Sequence, residues 1–348
     1  MDKSTLENCL SQVIDPVSGN NIVQAGLVRG VTQDGGKLQF VLEVNPDHAP
    51  KYAETLALAE QALLKLDGVT AAKGILTGHR TAAEPPSLKP KSAAAAGPAA
   101  LPNVKRVIAV ASGKGGVGKS TLSANLACAA AKMGRKVGLL DADVYGPSQP
   151  QMLGVNKRPA SPDGKTIIPL TAHGVTMMSI GLMMQPDQAI VWRGPMLMGA
   201  LQQLLFQVDW GELDVLFVDL PPGTGDVQIT LAQKTQVAGA IVVSTPQDVA
   251  LIDARKGIDM FDKVNVPILG LVENMSTHVC SKCGHEEHIF GHGGVAAEAE
   301  KMGVPFLGEV PLHLDVRLAS DQGEPIVIRD PDGPQAAAFM RIAERIFD

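Results

Sequence analysis

Two periodicities divide the chain. Over residues 1–80 short apolar patterns change type every few residues. Leu6, Leu10 and Val13 form a helical stripe that Asp15-Pro16 stops. Ile22 to Val31 predicts a strand and Asp34-Gly35-Gly36 a hairpin turn, after which Leu38, Phe40, Leu42 and Val44 alternate as one buried face. Tyr52 to Leu66 is amphipathic at helical spacing and closes at Asp67-Gly68, and Val69 to Leu76 returns as a strand. The order αββαβ predicts a small α+β domain over residues 1–80.

From residue 104 onward, continuous apolar runs alternate with helical spans. The runs are Val104 to Ala111, Lys136 to Leu140, Asp214 to Leu220, Gly239 to Val243, Ile268 to Val272 and Phe306 to Val310. A strand buried on both faces reads this way, so residues 104–348 predict an α/β domain with a mostly parallel, doubly wound sheet. Ligands then belong at the carboxyl ends of the strands. Thr166 to Leu170 and Val175 to Ile180, joined at His173-Gly174, predict an inserted hairpin. Residues 81–103 belong to neither pattern. Thirteen of those 23 residues are Ala or Pro, which predicts a semi-extended linker reaching on the order of 70 Å.

The 348 residues are 45% hydrophobic and 3% aromatic, so the core is aliphatic, and a net charge of -6 argues against nucleic acid as a partner. No apolar run is long enough to span a bilayer, and the start, MDKSTLENCLSQ, has no apolar stretch of a secretory or transit signal. Four cysteines in so long a chain make no disulfide framework, which points to the cytoplasm.

The chemistry concentrates in VIAVASGKGGVGKS, Val107 to Ser120. Gly113, four residues, then Gly118-Lys119-Ser120 is a phosphate-binding loop between a strand and a helix. Glycines let backbone N–H groups wrap a polyphosphate, and the helix N-terminus faces the anion. Gly113, Lys114, Gly115, Gly116, Val117, Gly118, Lys119, Ser120 and Thr121 are the candidate ATP-binding residues. Lys119 would reach the β- and γ-phosphates, and the Ser120 hydroxyl would hold Mg²⁺. Gly113-x-Gly115-x-x-Gly118, with Asp141 downstream, also fits a dinucleotide fingerprint. Lys119-Ser120 and a second nucleotide motif at Asp219 favour the polyphosphate. Asp219 ends an apolar strand before Leu220-Pro221-Pro222-Gly223-Thr224-Gly225-Asp226, as a magnesium-side acid followed by a γ-phosphate switch, or simply as a strand-end Asp. Asp141-Ala142-Asp143 ends the strand after the loop's helix and could position water or Mg²⁺, or be a solvated strand end.

Cys280-Ser281-Lys282-Cys283 places two thiolates within reach of one metal centre, half of a four-cysteine site. Two chains could share a [4Fe–4S] cluster about a two-fold axis, one chain could complete a zinc site with His285, His288 or His292, or the pair could be a redox disulfide. Phe290-Gly291-His292-Gly293-Gly294 predicts a mobile, exposed loop. Cys9 and Cys128 read as small core residues. Trp192-Arg193-Gly194-Pro195 reads as a surface turn, and the last helix, Gln335 to Phe347, as packed on the core through Phe339, Ile342 and Ile346.

Lys114 in Lys114-Gly115-Gly116-x-Gly118-Lys119-Ser120 resembles the deviant Walker A ATPases. That resemblance implies that Lys114 crosses a dimer interface to the partner's nucleotide, that Asp143 positions water, and that Asn274 contacts adenine. Together with Asp219 to Asp226, Asn274-Met275-Ser276 and Cys280-x-x-Cys283, the chain resembles the Mrp/ApbC-type iron–sulfur cluster carrier ATPases over residues 104–345. The resemblance implies catalytic roles for Lys114, Lys119, Asp143 and Asp219. It also implies slow ATP hydrolysis and a homodimer with a labile [4Fe–4S] cluster bridged by Cys280 and Cys283, taken from a donor scaffold and passed to recipient apo-proteins. The first eighty residues resemble a small iron–sulfur assembly domain, but the loop Asn45 to Pro50 holds no cysteine. The other readings are a positioning or partition ATPase without a cluster and a zinc-stabilised ATPase.

Overall fold

The computed structural model describes residues 3–44, 48, 51–78, 98–183, 194–280 and 282–348. The expectations for the loop at 45–47 and 49–50, for the linker as far as residue 97, and for Trp192-Arg193 lie outside the described residues. The chain divides into two compact units, within Met1–Ala94 and Ala95–Asp348.

The first unit runs α1 (Lys3–Leu10), β1 (Val28–Asp34), β2 (Lys37–Val44), α2 (Ala53–Leu63) and β3 (Ala71–Gly78). Strands β1 and β2 pair antiparallel, and β2 and β3 pair parallel across α2. Gly35 and Gly36 make the hairpin turn, with Asp34 opposite Lys37. Leu38, Phe40, Leu42 and Val44 are buried, the first three in a core shared with Leu6, Leu10 and Leu63. The first strand begins at Val28 rather than Ile22. Asn21 Oδ1 accepts the Gln24 N–H at 2.8 Å, which turns the chain there, while Ile22 anchors the turn in the core.

The second unit follows with β4 (Val107–Ser112), α3 (Lys119–Lys132), β5 (Val137–Asp141), α4 (Gln149–Met152), β6 (Leu170–Ala172) and β7 (Val175–Ser179). Then come α5 (Gly194–Phe206), β8 (Val215–Asp219), α6 (Asp226–Lys234), β9 (Gly239–Ser244), α7 (Asp248–Lys263), β10 (Ile268–Val279) and β11 (Glu286–Glu287). The unit ends with α8 (Gly294–Met302), β12 (Phe306–Leu312), α9 (Leu314–Asp321), α10 (Ile326–Arg329) and α11 (Pro334–Phe347). Its sheet is nine-stranded, in the order β11-β10-β9-β4-β8-β5-β7-β6, with β12 on the other side of β10. Among the described residues, only β6 and β11 pair antiparallel in this sheet. Alternate residues of the central strands enter opposite apolar layers: Ile108 and Val110 meet α3 and α11, whereas Ala109 and Ala111 meet the layer of α5 and α6. That two-sided burial is why these strands read as unbroken apolar runs.

Three expectations are corrected. The second arm of the predicted inserted hairpin is a strand of the main sheet, β7, parallel to β5 with Val137 opposite Val175 and Asp141 opposite Ser179. Its first arm shrinks to Leu170–Ala172. Strand β10 continues past Val272 to Val279, because its second half pairs with β12 and β11 instead of β9. Polar Glu273, Asn274 and Ser276, all buried, hid that half from an apolar pattern. Residues 98–103 are docked on this unit: Ala99 bridges Thr235, and Leu101 is buried. Helix α11 packs through Phe339, Ile342 and Ile346, and Arg345 donates to the Leu307 carbonyl at 3.0 Å. Among the described residues no helix is long and apolar enough to cross a membrane.

Candidate functional site

The buried strand β4 delivers Gly113 to the carboxyl edge of the sheet, and α3 begins at Lys119. Between them the backbone must turn left-handed, at Gly116 with φ 80° and Gly118 with φ 82°. Gly113 lies so close to α7 that a Cβ would stand 2.2 Å from the Asp253 carbonyl carbon. Only glycine permits this path. Around Gly116 a Cβ would meet nothing within 4 Å, so the loop is open on that side. Val117 is buried beneath it. The left-handed turns and this open side fit a polyphosphate wrapped by backbone N–H groups.

Lys119 is buried and its ammonium sits 2.6 Å from Asp219 Oδ1, 3.3 Å from Ser120 Oγ and 3.8 Å from Asp143 Oδ2. Asp219 also accepts the Ser123 hydroxyl at 3.0 Å and Gln149 Nε2 at 2.8 Å. Strands β5 and β8 place Asp141 directly opposite Asp219. Burial, then the Asp219 charge, pushes the Asp141 carboxyl up to about 7, against hydrogen bonds from the Gln149 N–H, the Ser179 hydroxyl and the Asp143 N–H. Burial also raises Asp143, opposed by Lys119 and reinforced by Asp219. The two acids of Asp141-Ala142-Asp143 thus separate. Asp141 is fully buried bracing, and Asp143 faces the Lys119 ammonium.

Lys114 is half-buried, and among the described residues its ammonium has no carboxylate partner; its carbonyl accepts the Ser112 hydroxyl at 2.9 Å. Gly115 faces Pro222 of the loop after Asp219. That loop is held by Gln228, whose Nε2 donates to the Pro221 and Gly223 carbonyls at 2.9 Å each. Asn274 Nδ2 donates to the Val117 carbonyl at 2.8 Å, so β10 touches the phosphate loop directly. Beside this contact a cavity of about 340 Å³ is lined by Gly118, Thr121, Asn274, Met275, Leu312 and Arg317. Its size suits a nucleoside. Gln149, Gln228 and the Leu312–Arg317 wall were missed from sequence. A lone Gln or Arg carries no motif, and only the fold brings these residues to the loop.

Cys280 and Cys283 sit on the turn between β10 and β11. The Cys280 N–H donates to the His285 carbonyl at 2.9 Å, and the Gly284 N–H to the Cys280 carbonyl at 2.8 Å. Backbone N–H groups of Lys282 and Cys283, then the Cys283 thiol, hold the Cys280 thiol below its ordinary pKa. Cys283 is exposed. Among the described residues no third His, Cys, Asp or Glu brings a ligand atom to this pair. His288 is committed elsewhere: its Nδ1 lies 3.0 Å from the Ser276 carbonyl, and its ring stacks on His292 with centroids 4.3 Å apart. The loop from Phe290 to Gly294, expected to be mobile, is tied down. Buried Glu273 accepts the Gly293 and Val295 N–H groups, both at 2.9 Å. Burial pushes the Cys128 thiol up to about 12, and it is a core residue; Cys9 is half-buried, packed against the first unit's core, with its thiol donating to the Ala62 carbonyl at 3.1 Å.

Comparison with known proteins agrees with this arrangement. Residues 103–347 match the family described as NUBPL iron-transfer P-loop NTPase, and residues 3–73 match the family described as iron-sulfur cluster assembly protein. An iron-sulfur cluster carrier protein of Pseudomonas fragi is 49% identical over 292 residues, covering 82% of this chain and 97% of that protein. One of Helicobacter pylori is 42% identical over 339 residues, covering 97% of this chain and 90% of that protein. A nucleotide-binding protein of Archaeoglobus fulgidus, solved with ADP, superposes with a TM-score of 0.60 at 38% identity, covering 69% of this chain and 93% of that one. With the phosphate loop, its facing acids and the paired cysteines on one sheet edge, the chain belongs to the NUBPL-type iron-transfer P-loop NTPases, preceded by a unit of the iron–sulfur cluster assembly family.

Proposed function

We propose that this protein is an ATP-switched iron–sulfur cluster carrier. The observation that carries the reading is strand β10. It holds Asn274 against the phosphate loop and, six residues on, Cys280 at the start of the cysteine turn. Asn274 and Cys280 are joined by one short segment, bulged at Met275 with φ 58° and paired to β12 and β11 at His278, so a shift at the nucleotide reaches the cysteines through it.

The backbone of Gly113 to Thr121 binds the triphosphate of ATP, and Lys119 exchanges Asp219 for phosphate oxygens. Ser120 and Asp219 would hold Mg²⁺, which would supply positive charge against the phosphate oxygens. Asp143 positions the attacking water. Lys114, half-buried and without a carboxylate partner in its own chain among the described residues, reaches the nucleotide of a second copy. Asn274 holds the base side. Each chain supplies two thiolates, so two copies complete the four ligands of a [4Fe–4S] cargo. The exposed turn suits hand-over to recipient apo-proteins after loading from a donor. We assign residues 1–80 to the assembly-like domain, 81–97 to the linker and 98–348 to the ATPase, and place the homodimer in the cytoplasm, where thiols stay reduced. It uses neither nucleic acid nor a membrane.

Anaerobic reconstitution with iron and sulfide tests this, with wild type beside Cys280→Ala and Cys283→Ala. About four iron and four sulfide per two chains, lost in both variants, is expected. One zinc per chain and no colour refutes the cargo. Delivery by Lys119→Ala at the wild-type rate, with and without ATP, refutes the coupling. ATP-dependent pelleting with vesicles or DNA would instead favour a positioning switch, which the family match supports less.

A further inference from the structure

Gln149 belongs to no motif, yet it is completely buried where three elements meet. Its backbone N–H donates to Asp141 Oδ2 at 3.1 Å. Its side-chain Nε2 donates to the Ser120 carbonyl at 3.0 Å and to Asp219 Oδ2 at 2.8 Å. Both partners of Nε2 are pure acceptors, and an amide nitrogen has two hydrogens, so both are used. Turning the amide over would set its oxygen against two oxygens, so its orientation is fixed. The oxygen, Oε1, is therefore fixed too. It is buried, and among the described residues it has no hydrogen-bond donor. A buried amide oxygen without a donor is costly and calls for one.

The neighbours say which donor. Gln149 holds the main-chain oxygen of Ser120 and one oxygen of Asp219, the two residues placed above on magnesium. The other Asp219 oxygen faces Lys119 and Ser123. Protein carboxylates and hydroxyls satisfy only part of the coordination of Mg²⁺, which keeps several waters. A water on a cation turns its hydrogens outward and needs acceptors.

We infer that Gln149 is a positioning residue of the nucleotide site, which fixes the rotamer of Asp219 and presents Oε1 as acceptor to water that arrives with magnesium nucleotide. When Lys119 turns to phosphate, Gln149 is one of the two side chains still holding Asp219. The inference rests on the nucleotide-binding part of the function proposed above and is independent of the cluster.

The test measures the affinity of metal-free, full-length protein for a fluorescent ATP analogue, in EDTA and across a magnesium titration. Gln149→Met keeps the shape and removes both the donors and the acceptor. Gln149→Asn keeps the amide but is one methylene too short, and guards against a misfolded Met variant. Gln151→Ala, whose side chain turns away to the Asp321 carbonyl, is the control. For both Gln149 variants the affinity in EDTA should stay within twofold of wild type. The gain in affinity brought by magnesium should fall at least tenfold, and Gln151→Ala should match wild type. A magnesium gain within twofold of wild type overturns the inference. So does an equal loss of affinity with and without magnesium, which would make Gln149 a packing residue only. A wild type with no magnesium-dependent nucleotide binding overturns the nucleotide-binding reading itself, whereas failure of cluster reconstitution leaves this result standing.

Discussion

Gly118→Ala is the substitution whose cost the structure sets most directly. Gly118 has φ 82°, a left-handed conformation that costs an L-residue about 1–2 kcal/mol. A Cβ there would lie 2.0 Å from Asn274 Nδ2, so the amide must leave. Its hydrogen bond to the Val117 carbonyl is then lost, worth about 1 kcal/mol net and more if the carbonyl stays buried. The total is about 2–3 kcal/mol. Gly116→Ala isolates the conformational part: it has φ 80° and nothing within 4 Å of a Cβ, so about 1–2 kcal/mol is expected. Asn274→Ala removes the obstacle, and in that background Gly118→Ala should cost no more than Gly116→Ala. Urea unfolding followed by tryptophan fluorescence is the assay. Both tryptophans, Trp192 and Trp210, lie in the second unit, so the signal does not mix the two units. Equal costs for Gly118→Ala and Gly116→Ala, or a cost undiminished by Asn274→Ala, would refute the claim that β10 is keyed into the phosphate loop. The same variant should weaken nucleotide binding more than Gly116→Ala does, because it displaces Asn274.

Three further outcomes are expected. Iodoacetamide at neutral pH, followed by mass spectrometry, should label Cys280 early, because its pKa is lowered, and leave Cys128, at about 12 and buried, unlabelled until the protein unfolds. Asp141 has a folded pKa of about 7, above its unfolded value near 4, so its contribution to stability is complete below pH 4 and is lost as pH rises towards 7. The difference in Tm between wild type and Asp141→Asn should therefore change across pH 4 to about 7, and a pH-independent difference would contradict the shift. Glu273→Gln puts an amide N–H₂ against one of two backbone N–H groups; loss of one charge-assisted bond predicts about 2–3 kcal/mol of destabilisation by urea unfolding. Hydrogen exchange at Gly293 and Val295 should rise in that variant.

The predicted site residues divide by how local their signal is. Gly113 to Thr121 are one contiguous stretch whose backbone conformation is written into glycine spacing, and Asp219 ends an apolar strand. Both were therefore legible, as was the doubly wound sheet, since two-sided burial leaves unbroken apolar runs. Cys280 and Cys283 were legible as a pair because only two residues separate the thiols, which one turn brings together. The second half of β10 was not legible, because its polar residues bond the phosphate loop, α8 and β12 rather than enter an apolar layer.

Local chemistry along the chain thus determined the phosphate loop, its strand-end acids, the cysteine turn and the α/β class, because each depends on the identity and spacing of near neighbours. Tertiary structure alone decided three things: that Asp141 is a buried brace while Asp143 faces Lys119, that Gln149 joins Ser120 to Asp219, and that β10 ties the phosphate loop to Cys280. Each depends on contacts between residues far apart in the chain. Whether a polar side chain is buried and partnered there is set by how strands and helices pack, which no local pattern encodes.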